Sequence, residues 1–537
     1  MAKFNLLEEP WIRVLTPEQV VREVSLTDAL VNAHCYAGLA GELPTQDIAI
    51  LRFLLAILYA VFSRVDADGE ESPLESEDDA LDRWAELWET GKFPKEPVAE
   101  YLNQWRERFW LFHPERPFYQ VPEAAEGTEY ASSKLNGTLS ESANKVRLFP
   151  VRLGRDKQNL TFGEAARWLI YVNGFDDTAL KQPTESKKKY GKLPSPGAGW
   201  LGQLGLIVAE GDNLFETLML NLVFLKDGEE MWQSYCPVWE LQKPRNKERV
   251  EITVPNDPAA LLTLQSRRLI LEAENGVVTG YRLLGGDFFS KANAFAEQMT
   301  VWKPIYEKKE ITGFQPKRHN SAKRIWREFS AIAETDAQSR RPGVVSWIVA
   351  LKDAEDAPLD RKRMIKFKIA AVQYGDKDSG VNNVFSDSLT FHASLLKEMA
   401  KPLRELVEKE ITLCDEIARK VGSFASDLEI ASGGDGKAGR ENGAERYYDR
   451  IDQPFRAWLA GLNPEAEDVA RENALDEWRK TAFRIARQVG EELVEQAGEA
   501  AFVGRDVAID KAKNKKRHYS APEAYNWFSY ALRELDG

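Results

Sequence analysis

The sequence predicts an α+β protein: a large mixed α/β N-terminal domain over residues 1–384, followed by a C-terminal four-helix bundle over residues 385–537. Three observations carry this expectation. Short apolar runs separated by turn formers open the chain, as short strands do. Helical and strand-like stretches then alternate with long polar loops. From about Asp387 onward the apolar residues recur at helical spacing almost without interruption. A chain of 537 residues, 43% hydrophobic and 29% charged, has the composition of a globular protein of several domains.

The elements follow in order. Phe4-Asn-Leu-Leu, Trp11-Ile-Arg-Val-Leu and Val20-Val-Arg-Glu-Val read as strands. A helix is expected from Thr45, whose hydroxyl can cap it, through Ile48, Leu51, Leu55, Leu58 and Phe62. The acidic block Asp66–Asp82 reads as a solvated loop running into a helix N-terminus. Helical texture continues to Trp110 and stops at His113-Pro-Glu-Arg-Pro-Phe118, where two prolines forbid a regular helix. Two polar stretches, Ala131–Lys145 and Asn173–Lys192, flank a short helix expected over Ala165–Val172. Gly205–Val223 mixes helix and strand, and Val277–Asp287 reads as strand and hairpin. Four helical stripes close the chain. Leu395 to Val421 marks the first, with Pro402 an expected kink, and the polar break Gly433–Gly443 follows it. Tyr447 to Leu462, Leu475 to Leu493 and Ala524 to Leu532 mark the other three.

Charge and composition narrow the function. Lys plus Arg is 72 and Asp plus Glu is 85, a net of −13, which excludes a uniformly basic nucleic-acid coat but allows a local basic groove. Cys35, Cys236 and Cys414 make no disulfide framework, and the five histidines are scattered. No metal and no cofactor are expected. No apolar run is expected to reach the ~18–20 residues that span a membrane, and Met-Ala-Lys-Phe-Asn lacks a signal-peptide h-region. A cytoplasmic protein without membrane contact is the expectation.

No set of catalytic residues emerges. Gly434-Asp-Gly-Lys-Ala-Gly439 fits G-x-G-x-x-G but follows a helix, so it reads as linker. Glu185-Ser-Lys187 with Asp176 and Asp177 is the one foothold for a metal-dependent nuclease. His113 reads as a fixed turn. Basic residues gather in polar loops: Lys181 to Lys192, Lys243 to Arg249, Lys317 to Arg327, Arg361 to Lys368 and Lys511 to Arg517. Five such clusters on an acidic chain suggest one phosphate-tracking surface.

Phe4-Asn-Leu-Leu-Glu-Glu-Pro-Trp11-Ile-Arg-Val, His113-Pro-Glu-Arg-Pro-Phe118, Leu264-Gln-Ser-Arg-Arg268-Leu, Val277-Val-Thr-Gly and a terminal helical bundle occur in this order. Together they resemble the large subunit of the type I-E CRISPR surveillance complex, the CasA family of Cascade. The resemblance implies a non-enzymatic role: recognising the protospacer-adjacent motif (PAM) in target double-stranded DNA, helping to open the duplex, and docking the helicase–nuclease. Its implied partners are the other Cascade subunits and CRISPR RNA. The loop to the RNA-binding neighbour falls in Ser140–Leu148, with Asn144 and Lys145 its polar candidates. The minor-groove loop falls near Gly174-Phe175-Asp-Asp-Thr178, where Asp176 and Asp177 would repel phosphates. The PAM-reaching finger falls at Gln265-Ser-Arg267-Arg268, with Arg268 expected in a groove and Arg267 on a phosphate or an acidic neighbour. The wedge falls at Tyr374-Gly-Asp-Lys377-Asp378. Two other classes remain open: a metal-dependent nuclease, and a scaffold that binds only protein or RNA.

Overall fold

The computed structural model describes residues 3–141, 146, 148–177, 197–242, 247–336, 338–354, 359–360, 363–510 and 515–536. The chain divides into two compact units. The first holds Met1–Ile325, Ala331–Arg361 and Ile365–Ser388. The second holds Leu389–Gly537 together with Trp326–Ser330 and Lys362–Met364. Two short upstream segments therefore belong with the helical end of the chain.

The first unit is built around the helix Pro44–Phe62, whose residues from Thr45 onward are all buried except Asp47. Thr45 does not cap it. Pro44 occupies the first turn instead, where its missing N–H costs nothing. With 19 residues and a mean hydropathy of 1.7, this helix is long and apolar enough to cross a membrane, so the expectation that no run reaches that length is corrected. Here 94% of its apolar stretch is buried inside the protein. Midway along it, Arg52 makes a bidentate ion pair with Glu297, at 2.7 and 2.8 Å. The indole N–H of Trp200 donates to the same carboxylate at 2.8 Å. A buried charge is tolerated only when paired and hydrogen-bonded in this way.

Among the described residues three sheets have three strands each. Ile12–Leu15 lies between Val21–Val24 and Gly38–Leu39, matching the strands expected near the N-terminus. Val277–Gly285 lies between Arg267–Glu274 and Thr128–Ala131. Met364–Tyr374 lies between Val381–His392 and Ile207–Glu210. The acidic block leads, as expected, into a helix, Glu77–Glu89, capped by Ser76 in a capping box with Asp79. His113 forms a fixed turn: its Nδ1 accepts from the backbone N–H groups of Glu115 and Arg116.

The second unit contains four long helices, Lys401–Ser432, Lys437–Gly461, Asp468–Glu495 and Ala521–Asp536. The first packs against each of the other three. Pro402 lies in its first turn and starts the helix rather than kinking it. The expected glycine-rich break shrinks to Gly433–Gly436, because Lys437 already begins the next helix. A Cβ at Gly443 would stand 2.6 Å from the Ala425 Cβ, so this glycine serves close helix packing. A hairpin that the helical pattern did not predict, Arg505–Asp510 with Lys515–Tyr519, precedes the last helix.

Trp326 shows why an upstream segment joins this unit. Its ring stacks on Phe455 at 4.2 Å, and its indole N–H donates to Asp452 at 2.8 Å. Trp326→Ala is expected to destabilise the helical unit by about 3–5 kcal/mol through the cavity it leaves. Hydrogen exchange resolved by peptide checks this, with lost protection confined to Lys437–Gly461 and its packing partners as the expected pattern.

Candidate nucleic-acid interface

Three segments singled out in the sequence meet in the first unit: Gly174–Asp177, Gln265–Arg268 and Tyr374–Gly380. The helix Phe162–Phe175 delivers the first of them. Thr161 caps it, and Glu164 completes the capping box, three residues earlier than the periodicity suggested. Gly174 and Phe175 form its last turn and are buried. A Cβ at Gly174 would stand 2.5 Å from Leu201 Cδ1, so the position must be bare for the neighbouring chain to approach. The expectation of an exposed loop at Gly174 and Phe175 is thereby corrected: apolar packing has drawn both into the interior. The chain turns out of the helix at Asp176, whose backbone is extended.

The second segment opens the strand Arg267–Glu274. Arg267 and Arg268 are 1% and 0% exposed, so neither lies on the surface of the unit. As expected for adjacent strand residues, they have different partners. Arg267 Nε donates to Asp176 at 2.7 Å, and its terminal nitrogens donate to the carbonyls of Ser266, Asp177 and Gly197. Arg268 pairs with Asp287 at 2.6 Å and donates to the Gln265 carbonyl. The physical reason for the correction is local: each guanidinium has a carboxylate inside the fold. Arg267 does take the acidic neighbour foreseen for it, while Arg268 is spent on Asp287. Burial pushes the Asp176 carboxyl up, and Arg267 and Lys134 offset part of that.

The third segment is the turn joining Met364–Tyr374 to Val381–His392. Gly375 and Gly380 close it through a backbone hydrogen bond, and Lys377 and Asp378 both take left-handed backbone angles, φ 53° and 58°. That conformation pushes the tip outward, and Lys377 is exposed. Asp378 is held by both terminal nitrogens of Arg318, at 2.7 and 2.9 Å. Arg318 also stands over the Tyr374 ring, 5.3 Å from its centroid.

Direct bonds tie the segments together. The Tyr374 hydroxyl donates to the Phe175 carbonyl at 2.8 Å. Burial raises that hydroxyl well above its ordinary range, which keeps it a neutral donor. The Asp177 carboxylate accepts from the Gly380 N–H and from Lys134 Nζ, both at 2.9 Å. Asp176 and Asp177, which looked repulsive beside phosphates, are therefore engaged by internal donors. Lys134, Arg318 and Gly380 were missed in the sequence. Arg318 lay in a noted basic cluster, but nothing in its spacing pointed to Asp378, 60 residues away.

Other anticipated residues fall elsewhere. Asn144, Lys145, Glu185 and Lys187 lie outside the described residues. Lys366 and Lys368 both pair with Glu210. In the second unit, Arg327 pairs with Asp415 and covers the Tyr448 ring at 3.8 Å. Among the described residues no group of three or more His, Cys, Asp and Glu side chains is placed to hold a metal ion.

Known proteins share this plan. The model of the CRISPR-associated protein Cse1 family matches residues 5–489. CasA/Cse1 of Thermus thermophilus is 35% identical over 241 residues, which are 45% of this chain and 43% of that protein. This match therefore spans less than half of the relative's length. The crystal structure of Thermobifida fusca Cse1 superposes with a TM-score of 0.82 at 29% identity, covering 99% of this chain and 98% of that one. A chain of a CRISPR RNA-guided surveillance complex has the same fold, with a TM-score of 0.72 at 16% identity over the full length of both. By the family model, this chain belongs to the CRISPR-associated Cse1 family.

Proposed function

We propose that this protein is the large, non-catalytic subunit of an RNA-guided antiviral complex, working in the cytoplasm. In that role it recognises a PAM in target double-stranded DNA, helps open the duplex beside it, and docks a helicase–nuclease. Its partners are the other subunits of the complex and CRISPR RNA. In such systems the protein reads the short motif and base pairing reads the remainder.

The observation that carries this reading is the junction of three segments by Arg267, Asp177 and Tyr374. It sets an outward tip, Lys377 beside the Arg318–Asp378 pair, on a rigid base. A rigid tip can enter a groove or intrude under a base pair without first ordering itself, which lowers the entropic cost of binding. Arg267 and Arg268 enter this reading as positioning residues, because both are consumed inside the unit. Lys377 is exposed at the tip, and Asp378 fixes the turn that carries it. Gly174 and Phe175 anchor the base. Asn144 and Lys145 are proposed for the loop that meets RNA and the neighbouring subunit.

Two experiments test this. The complex is assembled with its CRISPR RNA and given matched duplexes with and without a PAM, across a salt series. If Lys377 meets a base edge, Lys377→Ala is expected to cost about 1–3 kcal/mol of PAM discrimination. If it meets a phosphate, all duplexes should weaken alike and the salt slope should fall by about one. Wild-type binding and opening at every salt concentration would reject the tip as a DNA contact.

The second concerns the base. Arg267→Ala leaves the Asp176 carboxyl buried without its main partner, so a loss of about 3–5 kcal/mol in folding stability is expected. Arg267→Met combined with Asp176→Leu should recover most of it, measured by urea unfolding of the full chain. A loss in the double variant equal to the sum of the two single losses would show that the pair does not act as a unit.

A further inference from the structure

Beside the Arg267 junction the first unit has a cavity of about 320 Å³, at the small end of the usual range for ligand sites. Its walls combine two chemistries. Trp200, Phe288 and Phe289 supply aromatic surface, with Trp200 and Phe289 at 4.6 Å between ring centres. Arg249 and Lys291 supply positive charge beside Arg267, which Asp176 already pairs, and Asp287 is the lining carboxylate. Arg268 already holds that carboxylate at 2.6 Å. The net charge of the lining is therefore positive on a chain whose total is −13.

The aromatic wall is fixed by main chain. Phe288 N–H donates to the Val250 carbonyl, and the Phe288 carbonyl accepts from Ile252 N–H. Arg249 is only 7% exposed and lies 3.8 Å over the Phe288 ring. Burial and the neighbouring Arg267 push its guanidinium down to about 10. Lys291 is lowered as well, by partial desolvation of its ammonium group and by Arg318 and Lys303, so like charges crowd the site from two sides. A phosphate placed there would relieve that crowding. Ser266 and Gln203 add polar edges, held by Trp200 N–H and the Ala198 carbonyl respectively.

We infer that this cavity receives one nucleotide extruded from the opened DNA, its base against Trp200, Phe288 or Phe289 and its phosphate toward Arg249 and Lys291. The inference rests on the reading of this unit as a duplex-opening surface. A base taken out of the stack loses its neighbours, and aromatic walls replace them. Such capture would keep the first opened pair from closing.

The test uses the assembled complex with its CRISPR RNA. Single thymidines along both strands of matched duplexes are replaced in turn by 5-iodouracil. Irradiation couples the base to an adjoining aromatic side chain, and mass spectrometry identifies the peptide. One position next to the PAM is expected to label a peptide containing Trp200, Phe288 or Phe289. Lys291→Glu, at an exposed position, should cut that yield about ten-fold by repelling the phosphate. Phe289→Ala should move or abolish the label. Labels that map elsewhere at every position, or that survive Lys291→Glu unchanged, overturn the inference. If the duplex is bound and opened without any such label, the cavity assignment falls and the DNA reading stands. If PAM-bearing and PAM-free duplexes behave alike, both fall. A third arm irradiates the full chain alone with 5-iodo-2′-deoxyuridine 5′-monophosphate. Labelling of the same peptide at equal yield there would assign the cavity to a free nucleotide and overturn the strand as its source.

Discussion

The buried ion pair between Arg267 and Asp176 organises everything around the candidate interface. Two opposite charges are out of water, and the arrangement holds only because each finds further partners. Arg267 reaches the carbonyls of Asp177 and Gly197 as well as the carboxylate. The end of one helix and the start of the next described segment are thus bound by a single side chain. Asp177, positioned by its own carbonyl in that bond, is free to turn its carboxylate toward Gly380 and Lys134. The turn carrying Lys377 is located by this second tie and by Tyr374. Remove the first pair and the second has no fixed base.

Charge in this protein is used inward to an unusual degree. Arg52, Arg167, Arg267, Arg268 and Arg404 are all among its largest fully buried side chains. Arg167, for example, joins Glu23, Glu42 and the Trp11 carbonyl. The guanidinium suits this duty because its planar fork satisfies several acceptors at once. A count of basic residues therefore overstates the cations offered to phosphate. What faces outward is decided residue by residue, and Lys377 is outward because two left-handed residues turn the chain there.

Much of the fold was legible in the sequence because its signals are local. The four C-terminal helices announce themselves through apolar spacing, and the N-terminal strands through short runs and turns. The errors have a common physical origin in contacts distant along the chain. Arg267 and Asp176 are 91 residues apart, and no pattern near either marks the pair. Gly439 and Gly443 read as linker on composition, yet they are helical and bare so that Val421–Ala425 can approach. At the candidate interface, the three segments were recognisable, but their exposure was not: burial depends on which partner the fold brings, and that information is nonlocal.

The core helix has a consequence in time. Its Arg52 waits for Glu297, which lies 245 residues further along the chain. At typical translation rates of about 5–20 residues per second, that interval is roughly 12–50 s. Throughout it, a 19-residue apolar segment of membrane-like hydropathy lacks the carboxylate that neutralises its one buried arginine in the finished fold. The unpaired Arg52 then has a second use. A charge at the centre of such a helix costs about 2.5–3.5 kcal/mol on the insertion scale, which disfavours entry into a bilayer. The same side chain that later ties the finished core thus guards the nascent one against the wrong solvent.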